Sequence, residues 1–345
     1  MVPQERFMRR CFEIAQQAAG RVSPNPLVGS VIVHQNRIIG EGFHQQYGQA
    51  HAEVNAVKSV RPEDQALLKS ATIYVSLEPC FHYGKTPPCV DLILEKQIPR
   101  VVIAHLDPNP KVAGQSVEKL RAAGVEVITG FLEAESQELA KEFLHAFRQN
   151  RSYVYLKWAE SQAGFVGKPD EQVWLSNPMS KRLSHRLRAE IDAILVGPQT
   201  LVIDQAALTN RLWTGGHPVR VTYDLRGDLP IDGPFFNGKT RSILFGQADR
   251  VYPDTVEVFP LPTLDPREAF TIIVNQLWQA FKLQSVLIEG GARTLQTFID
   301  QHLWQEAWIF NTQHALNSGI SAPNIVGTVV KQYHLETDKI TIMTP

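Results

Sequence analysis

Two short segments hold the residue types that could do chemistry: "AHAEVNAV", with His51 and Glu53, and "SLEPCFHYGKTPPCVDLIL", with Cys80 and Cys89. One imidazole and two thiolates form a three-ligand zinc set, which leaves the fourth tetrahedral position to water, as in catalytic zinc sites. Zinc brings the pKa of such a water down to about 7, so a nucleophile exists at neutral pH. Glu53, just past the histidine, is close enough to exchange protons with that water without ligating the metal. Cys89 follows Pro87-Pro88 and opens the apolar run Val90, Leu92, Ile93, Leu94. A thiolate at such a helix start is favoured by free N–H groups and the helix dipole. The competing reading is a closed structural zinc site, for which His82 is the nearest available fourth ligand. A structural site has no use for the glutamate.

The His-x-Glu and Pro-Cys pattern resembles that of the zinc nucleobase deaminases, in which the glutamate shuttles protons. The cysteines here are nine positions apart, wider than the usual C-x-x-C. "PNPLVGSVIV", "GEGFHQQYGQAHAEVNA", "YVSLEPCFHYGKTPPC" and "DPNPKVAG" together resemble the deaminase half of the bifunctional riboflavin-biosynthesis deaminase/reductase, over about residues 7–147. The resemblance implies a cytidine-deaminase-like layered α/β domain over residues 1–150. It also implies one zinc per chain on His51, Cys80 and Cys89, with Glu53 catalytic, and a phosphoribosyl pyrimidine bound by Asn25, His44, His82 and Lys85.

Residues 151–345 resemble the same family's reductase half, whose fold is like that of dihydrofolate reductase and whose cofactor is NADPH. "LKWAES", "LRAEIDAILVGPQTLVID", "LTNR" and "IEGGARTL" occur in the family's order. Carried over, Ala159, Trp174, Thr200, Asp204 and the turn Gly290, Gly291, Ala292, Arg293, Thr294, Leu295 are cofactor contacts. Gln172, Arg188, Leu208, Arg211 and Glu289 are substrate contacts. Glycines between a strand end and a helix let phosphate reach backbone N–H groups, although a double glycine without a full dinucleotide fingerprint is equally an ordinary turn. Arginine's planar fork suits a phosphorylated substrate.

Several positions depart from the family pattern. S-x-D-G-[KR] is Ser161-Gln162-Ala163-Gly164-Phe165, D-D-P is Asp204-Gln205-Ala206, and a usual arginine is Asp228, with Arg226 nearby. No P-K-x-x-G is recognisable in "NTQHALNSG". All of these lie in the second half. They leave open a deaminase whose reductase-like domain is degenerate, and they predict weakened or altered use of NADPH.

The elements that must position these residues follow from periodicity. An apolar helical face runs through Phe7, Cys11 and Ala15. Two strands flank "HQN", and a helix over 51–59 carries His51 and Glu53 in its first turn. A β-rich run over 71–77 delivers Glu78-Pro79-Cys80 at its C-terminal end, where open α/β sheets bind ligands. Alternating strands and helices follow, then one long helix over 133–148, a boundary at "RQNRS", and a second α/β half. A length of 345 residues favours two domains. A net charge of −1 with mixed signs supplies no basic stripe for a nucleic acid. No apolar stretch is long enough to span a membrane. Cys11 belongs to the first helix's core face, so a disulfide framework is not expected and the cytoplasm fits. A homo-oligomer is compatible with all of this.

Overall fold

The computed structural model describes residues 2–81, 87–109, 113–247 and 250–345. The chain divides into two compact units, Met1–Gln149 and Asn150–Pro345.

The first unit runs α1 (Glu5–Gln16), β1 (Gly29–His34), β2 (Arg37–Phe43), α2 (Ala52–Ser59), β3 (Thr72–Leu77), α3 (Cys89–Glu95), β4 (Arg100–His105), α4 (Gln115–Ala122), β5 (Glu126–Ile128), α5 (Glu133–Leu139) and α6 (Lys141–Gln149). Its sheet has the order β2-β1-β3-β4-β5. β1 is antiparallel to both neighbours, and β3, β4 and β5 are parallel. Because side chains alternate across a strand, the apolar runs divide between two faces. Ile32, Ile73, Val75, Val101 and Ile103 pack with Ala56 and Val57 of α2, Val90 and Ile93 of α3, and Val117 and Leu120 of α4. Val31, Val33, Tyr74, Val102 and Ala104 face Phe7, Met8, Cys11 and Phe12 of α1. Helices on both faces explain why these strands read as continuous apolar runs.

Two expectations need correcting. The helix expected over 133–148 is two helices, interrupted at Ala140, which leaves helical geometry at φ −100°. A 3-10 segment, Pro62–Ser70, precedes β3, where the periodicity had indicated no element.

The second unit comprises β6 (Tyr153–Glu160), β7 (Phe165–Gly167), α7 (Pro178–Glu190), β8 (Ala193–Leu195), α8 (Pro198–Ile203), β9 (Val219–Asp224), β10 (Ser242–Gly246), β11 (Glu257–Pro260), α9 (Pro266–Gln279), β12 (Ser285–Ile288), α10 (Ala292–Asp300), β13 (Glu306–Asn311), β14 (Ile320–Ser321), β15 (Thr328–Leu335) and β16 (Asp338–Thr344). Its large sheet has the order β11-β10-β9-β8-β12-β6-β13-β16-β15. The strands from β11 to β13 are parallel, and β16 and β15 run antiparallel. The main core packs α9 and α10 onto this sheet through Phe270, Ile273, Val274, Leu277, Leu295 and Phe298. Because β6, β8, β9 and β12 all point one way, their C-terminal ends lie along a single edge.

Candidate functional sites

His51 caps α2 at its N-terminus in an extended conformation, Cys80 follows the end of β3, and Cys89 is the first residue of α3. Their ligand atoms lie within 4.8 Å of one another. His51 Nδ1 is 3.4 Å from each sulfur. A tetrahedral zinc with ordinary Zn–S and Zn–N bonds separates sulfur from nitrogen by about 3.6 Å, so the donor set fits that ion. The Cys89 backbone N–H donates to Cys80 Sγ at 3.2 Å, which stabilises a thiolate there.

The charges agree with such a site. A hydrogen bond from the Cys89 thiol, helped by His51, holds Cys80 well below the usual thiol range, at about 4. The same pairing, together with burial, pushes Cys89 up. The hydrogen bond to Cys80 raises His51. Glu53, in the first turn of α2, is 3% exposed. Burial and the Cys80 thiolate push its carboxyl up to about 7, whereas a divalent cation alongside pulls the other way.

Asn25 and His44 meet beside this cluster. His44 Nδ1 lies 3.1 Å from the Ala50 carbonyl and so carries the proton, leaving Nε2 to accept from Asn25 Nδ2 at 3.1 Å. Burial lowers the His44 pKa and keeps the ring neutral. Its edge faces the His51 ring, with centroids 5.6 Å apart. His82 and Lys85 lie outside the described residues.

Sequence reasoning passed over three residues that support this site. Asn55 Nδ2 donates to the Phe43 and Ala50 carbonyls, tying the segment that carries His44 to α2. Glu78, in "SLEPC", is a buried carboxylate that accepts three backbone N–H bonds. Ser116 Oγ donates to the Pro79 carbonyl. A carboxylate between an apolar strand and Pro-Cys was the only available signal for Glu78. Nothing in the sequence marks Ser116.

In the second unit, Gly290 and Gly291 separate β12 from α10, and Gly291 has φ +74°. A side chain at Gly290 would press on Thr200 of α8, with its Cβ 3.1 Å from Thr200 Cγ2. Thr294, in the first turn of α10, bonds the Tyr223 hydroxyl at 2.8 Å. Ala292, Arg293 and Leu295 complete that turn. Free N–H groups at this end, with glycines in front, suit a phosphate. Asp204 caps the C-terminal end of α8, and burial raises its carboxyl. Gln172 Nε2 reaches the Asp204 carbonyl at 3.5 Å. Ala159 lies near the C-terminal end of β6. Trp174 is 58% exposed and stacks against Lys181.

Arg188 pairs with Glu289 through Nε, at 3.2 Å, and Nη2, while its Nη1 donates to the Thr209 carbonyl at 3.2 Å. Burial works against ionised Glu289, but Arg188 and Lys157 outweigh it and hold the carboxyl low. Burial, reinforced by Arg188 and Arg211, brings His185 down to about 4. Its Nδ1 accepts from the Arg211 backbone N–H at 3.0 Å. The Arg211 side chain is exposed, and Leu208 is buried at φ +54°.

Residues 1–105 match the family of the cytidine and deoxycytidylate deaminase zinc-binding region, and residues 152–313 match the RibD C-terminal domain. The riboflavin biosynthesis protein RibD of Aquifex aeolicus is 34% identical over 91% of this chain and 88% of its own length. The chain belongs to the RibD family. RibD of Bacillus amyloliquefaciens is 35% identical over 99% of this chain and 94% of its own. A solved diaminohydroxyphosphoribosylaminopyrimidine deaminase/5-amino-6-(5-phosphoribosylamino)uracil reductase from Thermotoga maritima is 35% identical, with a TM-score of 0.90 over 99% of this chain and 98% of that one. The two-part fold class read from the sequence is the one these relatives have.

The departures in the second unit also have a structural account. Ser161-Gln162-Ala163-Gly164-Phe165 closes through Ser161 N to Phe165 O at 2.9 Å, Gly164 N to Ser161 O at 3.0 Å and Ser161 Oγ to Leu316 O at 2.9 Å. Gly164 takes φ +78°. None of these bonds needs a charged side chain, so Ala163 and Phe165 leave the turn intact. Arg226 and Asp228 are both exposed, on the turn after β9.

Proposed function

We propose that the chain catalyses two consecutive steps of riboflavin biosynthesis. The first unit hydrolytically deaminates 2,5-diamino-6-(5-phosphoribosylamino)pyrimidin-4-one at the ring carbon bearing the 2-amino group. The second reduces the product's ribosyl group to ribityl with NADPH. One observation carries this reading: the His51, Cys80, Cys89 cluster with buried Glu53 shares a chain with a RibD C-terminal domain.

When bound, zinc supplies an activated water as nucleophile. His51, Cys80 and Cys89 hold the ion, and Glu53 takes the water's proton. Glu53 passes it to the ring nitrogen next to the attacked carbon, then takes the proton of the newly added hydroxyl and delivers it to the amino group, which leaves as ammonia while the carbonyl forms. The Asn25–His44 pair, with His44 fixed in one tautomer, borders the pyrimidine and ribose, and His82 and Lys85 complete the substrate-binding set. In the second unit NADPH supplies the hydride. The Gly290–Leu295 turn takes the cofactor's phosphate, with Ala159, Trp174, Thr200 and Asp204 around it. Gln172, Arg188, Leu208, Arg211 and Glu289 hold the substrate.

The partner is a small phosphorylated pyrimidine, and neither nucleic acid nor membrane enters the reading. A reducing cytoplasm suits the unpaired thiols of Cys80 and Cys89. Incubating the purified protein with the diaminopyrimidine nucleotide, with and without NADPH, and identifying the products tests both steps. Without NADPH the deaminated ribosyl compound accumulates, and with it the ribityl compound. Accumulation of the ribosyl compound even with NADPH would favour the deaminase-only reading, and an unchanged nucleotide would refute the proposal.

A further inference from the structure

The cysteine that follows β3 is held from a direction the metal chemistry does not explain. Glu78, two residues before Cys80, is 5% exposed. Its Oε2 accepts from the backbone N–H of Asp107 at 3.1 Å and of Gly114 at 3.0 Å, and its Oε1 accepts from that of Ser116 at 3.2 Å. Gly114 and Ser116 form the start of α4, where N–H groups have no partner within the helix. Ser116 closes the clasp by donating Oγ to the Pro79 carbonyl at 2.5 Å, so the residue next to Cys80 is also held by α4. The Glu78 backbone N–H is bound to His105 O at 2.9 Å, at the end of β4.

The same helix reaches the other cysteine segment. Lys119 of α4 pairs with Asp91 of α3 at 2.5 Å, two residues after Cys89. Lys119 also lies over the Phe81 ring, 5.3 Å from its centroid. One short helix therefore grips the chain before Cys80, just after Cys80 and just after Cys89.

We infer that Glu78 is a positioning residue for the metal centre, its carboxylate locking α4 as a splint that sets the separation of the Cys80 and Cys89 thiolates. The inference rests on the zinc-deaminase reading. Groups that orient metal ligands are worth about 10- to 100-fold in metal affinity or activity. A carboxylate suits the task because all three contacts are donors. An amide offers one oxygen and turns its own N–H groups toward a backbone N–H, breaking a bond and opposing two donors.

The test uses the zinc-loaded full chain and two variants, Glu78→Gln and Ser116→Ala. Zinc release to a chromogenic chelator, the ligand-field spectrum of the cobalt-substituted protein, and kcat and KM for deamination are measured together. Glu78→Gln is expected to release zinc about 10- to 100-fold faster, to alter the cobalt bands and to lower kcat more than KM rises. NADPH oxidation by the second unit stays unchanged. Ser116→Ala is expected to move zinc release in the same direction by a smaller factor, and it decides the matter if Glu78→Gln fails to fold. Zinc release and cobalt spectra like the unmodified protein's in every folded variant overturn the inference. So does a rise in KM alone, which would place Glu78 in the substrate site. A parent protein without stoichiometric zinc would refute the deaminase reading itself, an outcome distinct from either.

Discussion

Substituting Gly42 by alanine should disable the first site from behind. β2 crosses directly under α2, and a Cβ at Gly42 would stand 2.5 Å from the Asn55 carbonyl carbon and 2.7 Å from its Cβ, whereas ordinary contact begins at 3.4 Å. The carbonyl carbon and the nearby Ala56 nitrogen are helix backbone and have no rotamer to yield. The helix must therefore retreat by roughly 1 Å, and overpacking of this kind costs about 1–3 kcal/mol. His51 caps that helix and Glu53 sits in its first turn, so both move with it. A misplacement of about 1 Å costs on the order of 100-fold in rate. The assay is kcat/KM for ammonia release, read beside zinc content and hydrogen exchange of the β1 and β3 amides. All six tryptophans lie in the second unit, so their fluorescence reports that the rest of the protein is undisturbed. Gly167→Ala, where nothing lies within 4 Å, is the neutral control. Unchanged kcat/KM in Gly42→Ala, with or without lost stability, would refute the claim that the β2–α2 contact sets the position of Glu53.

Glu53→Gln should keep its zinc and lose about 10²- to 10⁴-fold in deamination; a variant that loses the metal instead assigns Glu53 a structural role. Burial lowers His105 to about 4, with Arg148 acting in the same direction; Nδ1 lies 2.7 Å from Ser136 Oγ, and among the described residues the buried Nε2 has no hydrogen-bond partner. The unfolded chain binds that proton near pH 6.5 and the folded one does not, so stability is complete above that pH and is lost as pH falls toward 4. Between about pH 7.5 and 5.5 the loss is about 1.4 kcal/mol, measurable by hydrogen exchange of β4 and absent in His105→Gln. Arg188→Ala leaves the Glu289 carboxylate, 5% exposed, with Lys157 as its remaining neighbouring cation, and should cost up to about 3–5 kcal/mol in tryptophan-monitored unfolding. Arg188→Met with Glu289→Gln should recover most of that loss, and a single variant as stable as the parent would contradict the pairing.

The clustering of His51, Cys80 and Cys89 was legible because zinc chemistry restricts residue types sharply. Two cysteines, a histidine and a glutamate two positions on admit few readings. The strand that delivers Cys80 was legible too, since Ala71 to Leu77 is an apolar β-branched run ending at Glu-Pro-Cys. What escaped was whatever acts through the backbone. Among the described residues, the Glu78 side chain meets main-chain N–H groups, that of Asn55 carbonyls, and that of Ser116 the Pro79 carbonyl. Such partners leave no complementary side chain elsewhere in the chain for a reader to match. The break at Ala140 escaped because alanine is a good helix former, and nothing local announces a helix end there.

The second unit shows the opposite relation between residue identity and geometry. Losing the charged residues at positions 163 and 165 looked damaging, because charged side chains in a strand-end turn usually mark contacts. In the structure the turn closes on backbone groups and the Ser161 hydroxyl, so the side chains at 163 and 165 are dispensable to its shape. The features that remain are those that shape the edge where β6, β8, β9 and β12 end: Gly290 and Gly291, Thr200 beneath them, and Tyr223 holding Thr294. A cofactor bound largely through a helix N-terminus needs that backbone geometry more than it needs particular charges. On the proposed function, the departures bear on the strength of NADPH binding, and on NADPH against NADH at exposed Arg226 and Asp228, while the Gly290–Gly291 turn keeps its contacts with Thr200 and Thr294.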